Sequence, residues 1–156
     1  MNSKPDNTET DQMVMDGHVH LDYQWNPGSV IGAFLTGLRE GEIRAGKCES
    51  TGKLFLPPQS RSPFGGRCKE IIKVETPPEL RTGTVVHRPP WNVPAGLKPP
   101  YMLASISFSG VETELIHLVV GSLSLLRGLQ PGHPLKPVWA EQTEGSIRDI
   151  LYFQPE

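Results

Sequence analysis

Lys47-Cys48-Glu49-Ser50-Thr51-Gly52-Lys53, followed by Pro57-Pro58 and then Ser62-Pro63-Phe64-Gly65-Gly66, is the stretch on which the fold turns. A four-thiolate ribbon needs two Cys-x-x-Cys knuckles, each closed by a glycine so that the backbone can wrap tightly round the metal. Both frames are present, as Cys48-Glu49-Ser50-Thr51-Gly52 and Ser62-Pro63-Phe64-Gly65-Gly66. Cys48, Thr51, Ser62 and Gly65 stand at the four ligand positions. One thiolate does not close a tetrahedral site. The spacing therefore predicts a degenerate zinc ribbon that has lost its zinc.

Outward from this stretch the chain reads as β structure. Leu54-Phe55-Leu56 is a short strand stopped by Pro57-Pro58, and residues 82–88 are rich in Thr and Val. Met102, Ala104, Ile106 and Phe108 alternate with Leu103, Ser105, Ser107 and Ser109, a period of two with one apolar face. Ser109-Gly110 is a turn signal, and 111–120 returns as the partner strand. Residues 122–129 read as a short helix or as a loop across a barrel end. Pro134 and Pro137 place at least part of the strand at 133–140 on an edge. Ile150-Leu151-Tyr152-Phe153 completes the set. Five short strands, with a segment between the third and fourth, suit a small five-stranded OB barrel.

Towards the N-terminus, Asp6, Glu9, Asp11 and Asp16 stand against Lys4 with no apolar period, which reads as a flexible tail over 1–20. Leu21-Asp22-Tyr23-Gln24-Trp25 suggests an anchor. Over 29–40, Ile31, Phe34, Leu35 and Leu38 fall at i, i+3, i+4 and i+7, with Ser29 as N-cap and Gly41 as the stop. A helix with one apolar stripe must dock, and the stripe predicts a partner-docking surface or a homo-oligomer contact. The expected protein is mainly β: a tail at 1–20, an anchor and amphipathic helix at 21–41, a degenerate ribbon at 42–68 and the barrel at 69–156.

Composition narrows the function. The 156 residues carry a formal net charge of −2, so no broad basic field draws nucleic acid or an anionic membrane. The 16 Gly and 16 Pro fall between short apolar runs, as in a turn-rich β protein. The most apolar run, 115–126, is broken by His117, Ser122 and Ser124 and is too short to cross a bilayer. With no charged-then-apolar leader, a cytoplasmic protein is expected. Cys48 and Cys68 form no disulfide framework, and a reducing cytosol disfavours a bond between them.

Catalytic patterns are missing. There is no Gly-x-Ser-x-Gly elbow, no Cys–His pairing with an orienting third group and no phosphate loop. Cys48 and Cys68 with His18 and His20 match no recognised metal knuckle. His18-Val19-His20 also matches the opening of metal-dependent hydrolases, but those need a larger barrel and further ligands.

In order and spacing, the landmarks resemble the acyl-CoA-associated OB-fold family with an N-terminal rubredoxin-like zinc ribbon, whose members often carry only a domain-of-unknown-function label. The matching residues are Phe34-Leu35-x-Gly37-Leu38-x-x-Gly41, Cys48-x-x-x-Gly52, Pro57-Pro58, Gly83-Thr84-Val85-Val86-His87, Pro99-Pro100-Tyr101 and Phe153-Gln154-Pro155. The resemblance implies an accessory subunit or fused domain that sits beside a thiolase, an acyltransferase or a retro-aldol enzyme of lipid metabolism. There it helps form the partner's acyl-CoA site. It implies no catalytic residue in this chain, and the missing zinc ligands depart from the family pattern.

The best candidate for a functional loop runs from Arg88-Pro89-Pro90-Trp91 to Lys98-Pro99-Pro100-Tyr101. Arg88, Trp91, Lys98 and Tyr101 offer basic and aromatic groups on a proline-stiffened loop, suited to stacking an adenine and meeting phosphates or to anchoring a protein interface. The plain alternative is a rigid surface loop. The leading expectation is a non-catalytic accessory subunit of a thiolase-like enzyme that helps seat a coenzyme A thioester. The alternatives are a nucleic-acid-binding OB module, for which scattered Lys and Arg offer no groove, and a free-standing acyl-CoA-binding protein or enzyme.

Overall fold

A computed structural model describes residues 17, 20–22, 24–88 and 96–156. In chain order these form α1 (Gly28–Arg39), β1 (Arg44–Lys47), β2 (Leu54–Phe55), β3 (Glu70–Lys73), β4 (Pro78–Val86), β5 (Tyr101–Phe108), β6 (Leu115–Val119), α2 (Leu123–Gly128), β7 (Leu135–Trp139), a 3₁₀ turn (Ile147–Asp149) and β8 (Ile150–Pro155). The protein is mainly β, with a helix packed on two sheets. No helix among the described residues is long and apolar enough to cross a membrane.

The alternation in β5 does what its period requires. Met102, Ala104, Ile106 and Phe108 all point into the core. On either side β5 pairs antiparallel with β4 and β6, and the five-stranded sheet runs β4-β5-β6-β8-β7. Its one parallel pairing, Val119 with Phe153, joins β6 to β8. The two edges then meet: the Leu80 N–H donates to the His133 carbonyl at 2.9 Å, and the Gly132 N–H to the Leu80 carbonyl at 2.7 Å. With α2 between the third and fourth strands of this closed set, the arrangement is that of an OB barrel. The β7 edge carries Pro137, and within the segment 122–129 the helix α2 covers Leu123–Gly128, with the Ser122 hydroxyl at its N-cap accepting from the Leu125 N–H.

The second sheet is the ribbon, ordered β2-β1-β3. Here the expected boundary at residue 68 needs correction. Ile71 and Ile72 pair with Gly46 and Ala45 of β1, so the segment after Cys68 belongs to the ribbon sheet until Lys73. The pairing partner lies far back in the chain, and four residues are too few to show a period.

Helix α1 lies within two residues of the expected span. Pro27 is its N-cap, without a side-chain cap, and the Asn26 side-chain oxygen accepts from the Gly28 N–H at 2.9 Å. Ser29, expected as N-cap, is therefore inside the first turn. The stop is at Gly41, whose φ of +73° places it in the left-handed region. Its N–H donates to the Leu38 carbonyl, and that of Glu42 to the Gly37 carbonyl, the paired bonds of a Schellman ending.

The docking expectation for this helix is corrected too. Phe34 and Leu38 are 4% and 0% exposed, and they share one core with Ile43, Ala45 and Leu56 of the ribbon side and with Ile106 and Phe153 of the barrel. Leu35 packs on the same core and Ile31 is half-buried. The stripe's partner is thus this chain's own barrel and ribbon, and burying each large side chain contributes about 1.5–3 kcal/mol. Arg44 secures the end of the helix from β1. Its guanidinium donates to Glu42 at 2.8 Å and pairs with Glu40, while Lys73 meets Glu42 at 3.0 Å. The Arg44 bond and then the Lys73 bond hold the Glu42 carboxyl below the usual range.

Ribbon and barrel are also clasped at the turn between β5 and β6. Thr113 Oγ1 accepts from the Leu56 N–H at 2.6 Å and donates to the Leu56 carbonyl at 2.8 Å. The Glu112 N–H donates to the Leu54 carbonyl at 2.9 Å, and Lys53 pairs with Glu112. Both orphan groups of Leu56, which Pro57 removes from the sheet, are satisfied in this way.

Candidate functional site

The two knuckle frames do fold as knuckles. In the first the Gly52 N–H donates to the Cys48 carbonyl at 2.8 Å; in the second the Gly65 N–H donates to the Ser62 carbonyl at 3.0 Å. Cys48 lies where they meet, wholly buried, with Sγ 3.0 Å from the Ser62 hydroxyl and 3.2 Å from the Ser50 hydroxyl. Gly66 closes the opposite wall: a Cβ there would stand 2.3 Å from Ser50 Oγ and 2.6 Å from Cys48 Sγ. Glycine is required at that position by the close approach alone.

Hydroxyls thus crowd the space around the sulfur that a tetrahedral ion would occupy. Ser50, Ser62 and Thr51, in that order, donate towards the Cys48 sulfur and lower its pKa to about 6. Cys68 is also fully buried, joins Cys48 and Phe55 in one small cluster, and is pushed up by burial first and by the Cys48 charge second. Two thiols and neutral hydroxyls do not fit a four-ligand zinc site. Among the described residues no group of three or more His, Cys, Asp or Glu side chains is placed to hold a metal ion.

The loop candidates separate. Arg88 and Lys98 are exposed near the two ends of the β4–β5 connection. Tyr101 is 5% exposed, because it is the first residue of β5 and pairs with Val86. It belongs to the barrel wall, which corrects its assignment to a binding loop. Trp91, together with His18, lies outside the described residues.

Four features escaped the sequence reading. Asp149 is buried yet accepts from the backbone N–H groups of Glu144, Gly145 and Ser146 at 3.1, 2.7 and 3.0 Å. Burial opposes its charge, but these three donors outweigh it and hold the carboxyl below its ordinary value. Ser146-x-x-Asp149 is a capping-box spacing, which was a legible signal. His117 stacks edge-on against Phe153 at 5.5 Å with a buried, unpartnered Nδ1, and burial lowers the pKa of its imidazole. On the outer face of the barrel, Leu103 of β5 and Ile116 of β6 are exposed, close to each other across the pairings Leu103–Leu118 and Ser105–Ile116. A shallow cleft of about 130 Å³ between ribbon and barrel is lined by residues including Lys73, Phe108 and Trp139.

No family profile and no curated protein matches the sequence. Solved structures do match in fold. A protein of unknown function from the DUF35 family of Sulfolobus solfataricus is 18% identical, with a TM-score of 0.59 over 82% of this chain and 84% of that one. A chain of the Ltp2–ChsH2(DUF35) aldolase is 20% identical, with a TM-score of 0.58 over 79% of this chain and 91% of that one. This chain has their fold.

Proposed function

We propose that this chain is a DUF35-type accessory subunit that assembles with a thiolase-like or aldolase-like enzyme, contributes no catalytic group and helps seat the partner's acyl-CoA thioester. The observation that carries this reading is the fold shared with a chain of the Ltp2–ChsH2(DUF35) aldolase. The chemistry of the described residues is consistent with it. Carbon–carbon bond formation or cleavage at a thioester needs an activated nucleophile or a tuned base beside an oxyanion hole. The one depressed thiol, Cys48, is enclosed by its own knuckles.

Assembly is proposed to use the outer face of β5 and β6, where Leu103 and Ile116 leave apolar surface for a partner to cover. Arg88 and Lys98 supply positive charge for phosphates at the ends of the β4–β5 connection. We further propose that the ribbon works without zinc, held by packing and by the hydroxyl cage around Cys48.

Co-purification from the native host tests the assembly directly. A stoichiometric thiolase-like subunit should accompany the full chain, and Ile116→Asp should lose it while keeping the wild-type circular dichroism. The isolated chain should show no thiolase, acyltransferase or aldolase turnover. Turnover by the isolated chain, abolished by Cys48→Ser, would overturn the reading, as would recovery of a salt-sensitive nucleic acid in place of a protein.

A further inference from the structure

Cys48 and Cys68 have no part in the proposed assembly, yet the fold brings them together in one buried cluster with Phe55. The bulk of the pairing is set by the ribbon sheet. A Cβ on Gly46 would lie 3.5 Å from Cys68 Cβ, so Cys68 faces the side of β1 that also carries Cys48, two residues on. Both thiols are fully buried within that cluster. A ribbon with four thiolates would tie the Cys48 sulfur to a metal. Here Thr51, Ser62 and Gly65 replace the other ligands, and both cysteines are free.

We propose that Cys48 and Cys68 form a dithiol–disulfide pair, with Cys48 the thiol that a small peroxide oxidises and Cys68 the thiol that resolves it. The first step breaks the peroxide O–O bond as the Cys48 sulfur attacks one oxygen. An S–O bond forms, giving a sulfenic acid, and the other oxygen leaves as hydroxide. The Cys68 sulfur then attacks the sulfenic sulfur. An S–S bond forms, the S–O bond breaks, and the departing hydroxide takes the Cys68 proton as water. Two thiols and one hydrogen peroxide thus become one disulfide and two waters.

The surroundings assign these roles. Cys48 is the sulfur that receives the Ser50 and Ser62 hydroxyls, which stabilise the attacking thiolate. Cys68 is fully buried and no hydroxyl reaches its sulfur among the described residues, so it takes the second step. Access is through the knuckles. The neighbouring turn residues Glu49, Ser50, Thr51 and Gly65 are exposed, and the proposed reaction requires a small local opening there to admit peroxide.

The test uses the full chain, reduced, desalted and treated with hydrogen peroxide, then alkylated in denaturant and mapped by mass spectrometry. The expected product is a monomer that has lost two hydrogens, with a Cys48–Cys68 cross-linked peptide that dithiothreitol returns to two free thiols. Cys68→Ser should stop at the sulfenic acid, trapped by dimedone on Cys48, and Ser62→Ala should slow oxidation of Cys48 several-fold. Either of two results in the wild type would overturn the proposal, even if a variant fails to fold. One is survival of both thiols under peroxide that oxidises the denatured chain. The other is oxygen accumulating on Cys48 with no intramolecular cross-link.

Discussion

Barrel and ribbon are stabilised by different means in one chain. The barrel depends on side-chain alternation: Met102, Ala104, Ile106 and Phe108 fill it from β5, and its edges close by backbone bonds between Leu80 and the 132–133 segment. The ribbon retains the backbone of a metal site, with turning glycines and facing knuckles, while its centre is a single sulfur caged by hydroxyls. If the ribbon works without zinc, as proposed, the difference teaches that a metal-type frame keeps its shape when something else supplies the cohesion. In this chain that is a shared core. Leu56, Ala45 and Ile43 join the barrel's interior, and Phe34 and Leu38 of α1 seal the join.

The largest effect should come from breaking the shared core. Phe34→Asp places a carboxylate in a site with no partner for it and should cost more than about 4 kcal/mol, unfolding ribbon and barrel together in chemical denaturation. Loss of ribbon signal alone would show that the two regions are independent. Next is Asp149→Ala, which strips three backbone N–H groups of their acceptor and should cost about 2–3 kcal/mol in urea titration. Because its folded pKa is depressed, Asp149 stabilises the fold at pH values above the ordinary carboxyl range. That contribution fades as pH falls through the folded value. The variant should therefore show a shallower acid-side decline than the wild type.

A smaller loss, about 1–2 kcal/mol, is expected for Thr113→Val, which removes both hydrogen bonds to Leu56 and so loosens the clasp between ribbon and barrel. Amide exchange at Leu56 should rise more than exchange in β5. The mildest test is pH. The Cys48 pKa is depressed from an ordinary value of 9.0 to about 6. Thiolate ultraviolet absorbance should therefore titrate near pH 6 in the folded chain and vanish in Cys48→Ser. The stability it lends is complete above pH 9 and is lost as pH falls to about 6. Equal pH slopes in wild type and Cys48→Ser between those limits would remove the cage from the account.

How much of this was legible in the sequence follows from where each signal resides. The β5 alternation, the Pro57 stop and the Gly41 stop are local, so they could be read residue by residue. The β3 pairing with β1 was not, because Ile71 and Ile72 gain their meaning from Gly46 and Ala45 far back in the chain. The stripe of α1 was visible, but a stripe does not say what covers it, and here the chain covers it itself. At the site, the knuckle spacing placed Cys48 and Ser62 together. Ser50 was overlooked because it is not one of the four ligand positions, though it is one of the sulfur's two closest hydroxyl partners. Tyr101 looked like a loop aromatic because Pro99-Pro100 precedes it, and its pairing with Val86 puts it in the wall.

The central claim, a ribbon that coheres through the shared core without a metal, is tested most directly by scanning calorimetry of the full chain before and after exhaustive chelation. The account predicts a single transition whose calorimetric and van't Hoff enthalpies agree, at the same temperature in both samples. A separate, lower transition appearing after chelation, with one equivalent of zinc recovered in the chelator, would contradict it.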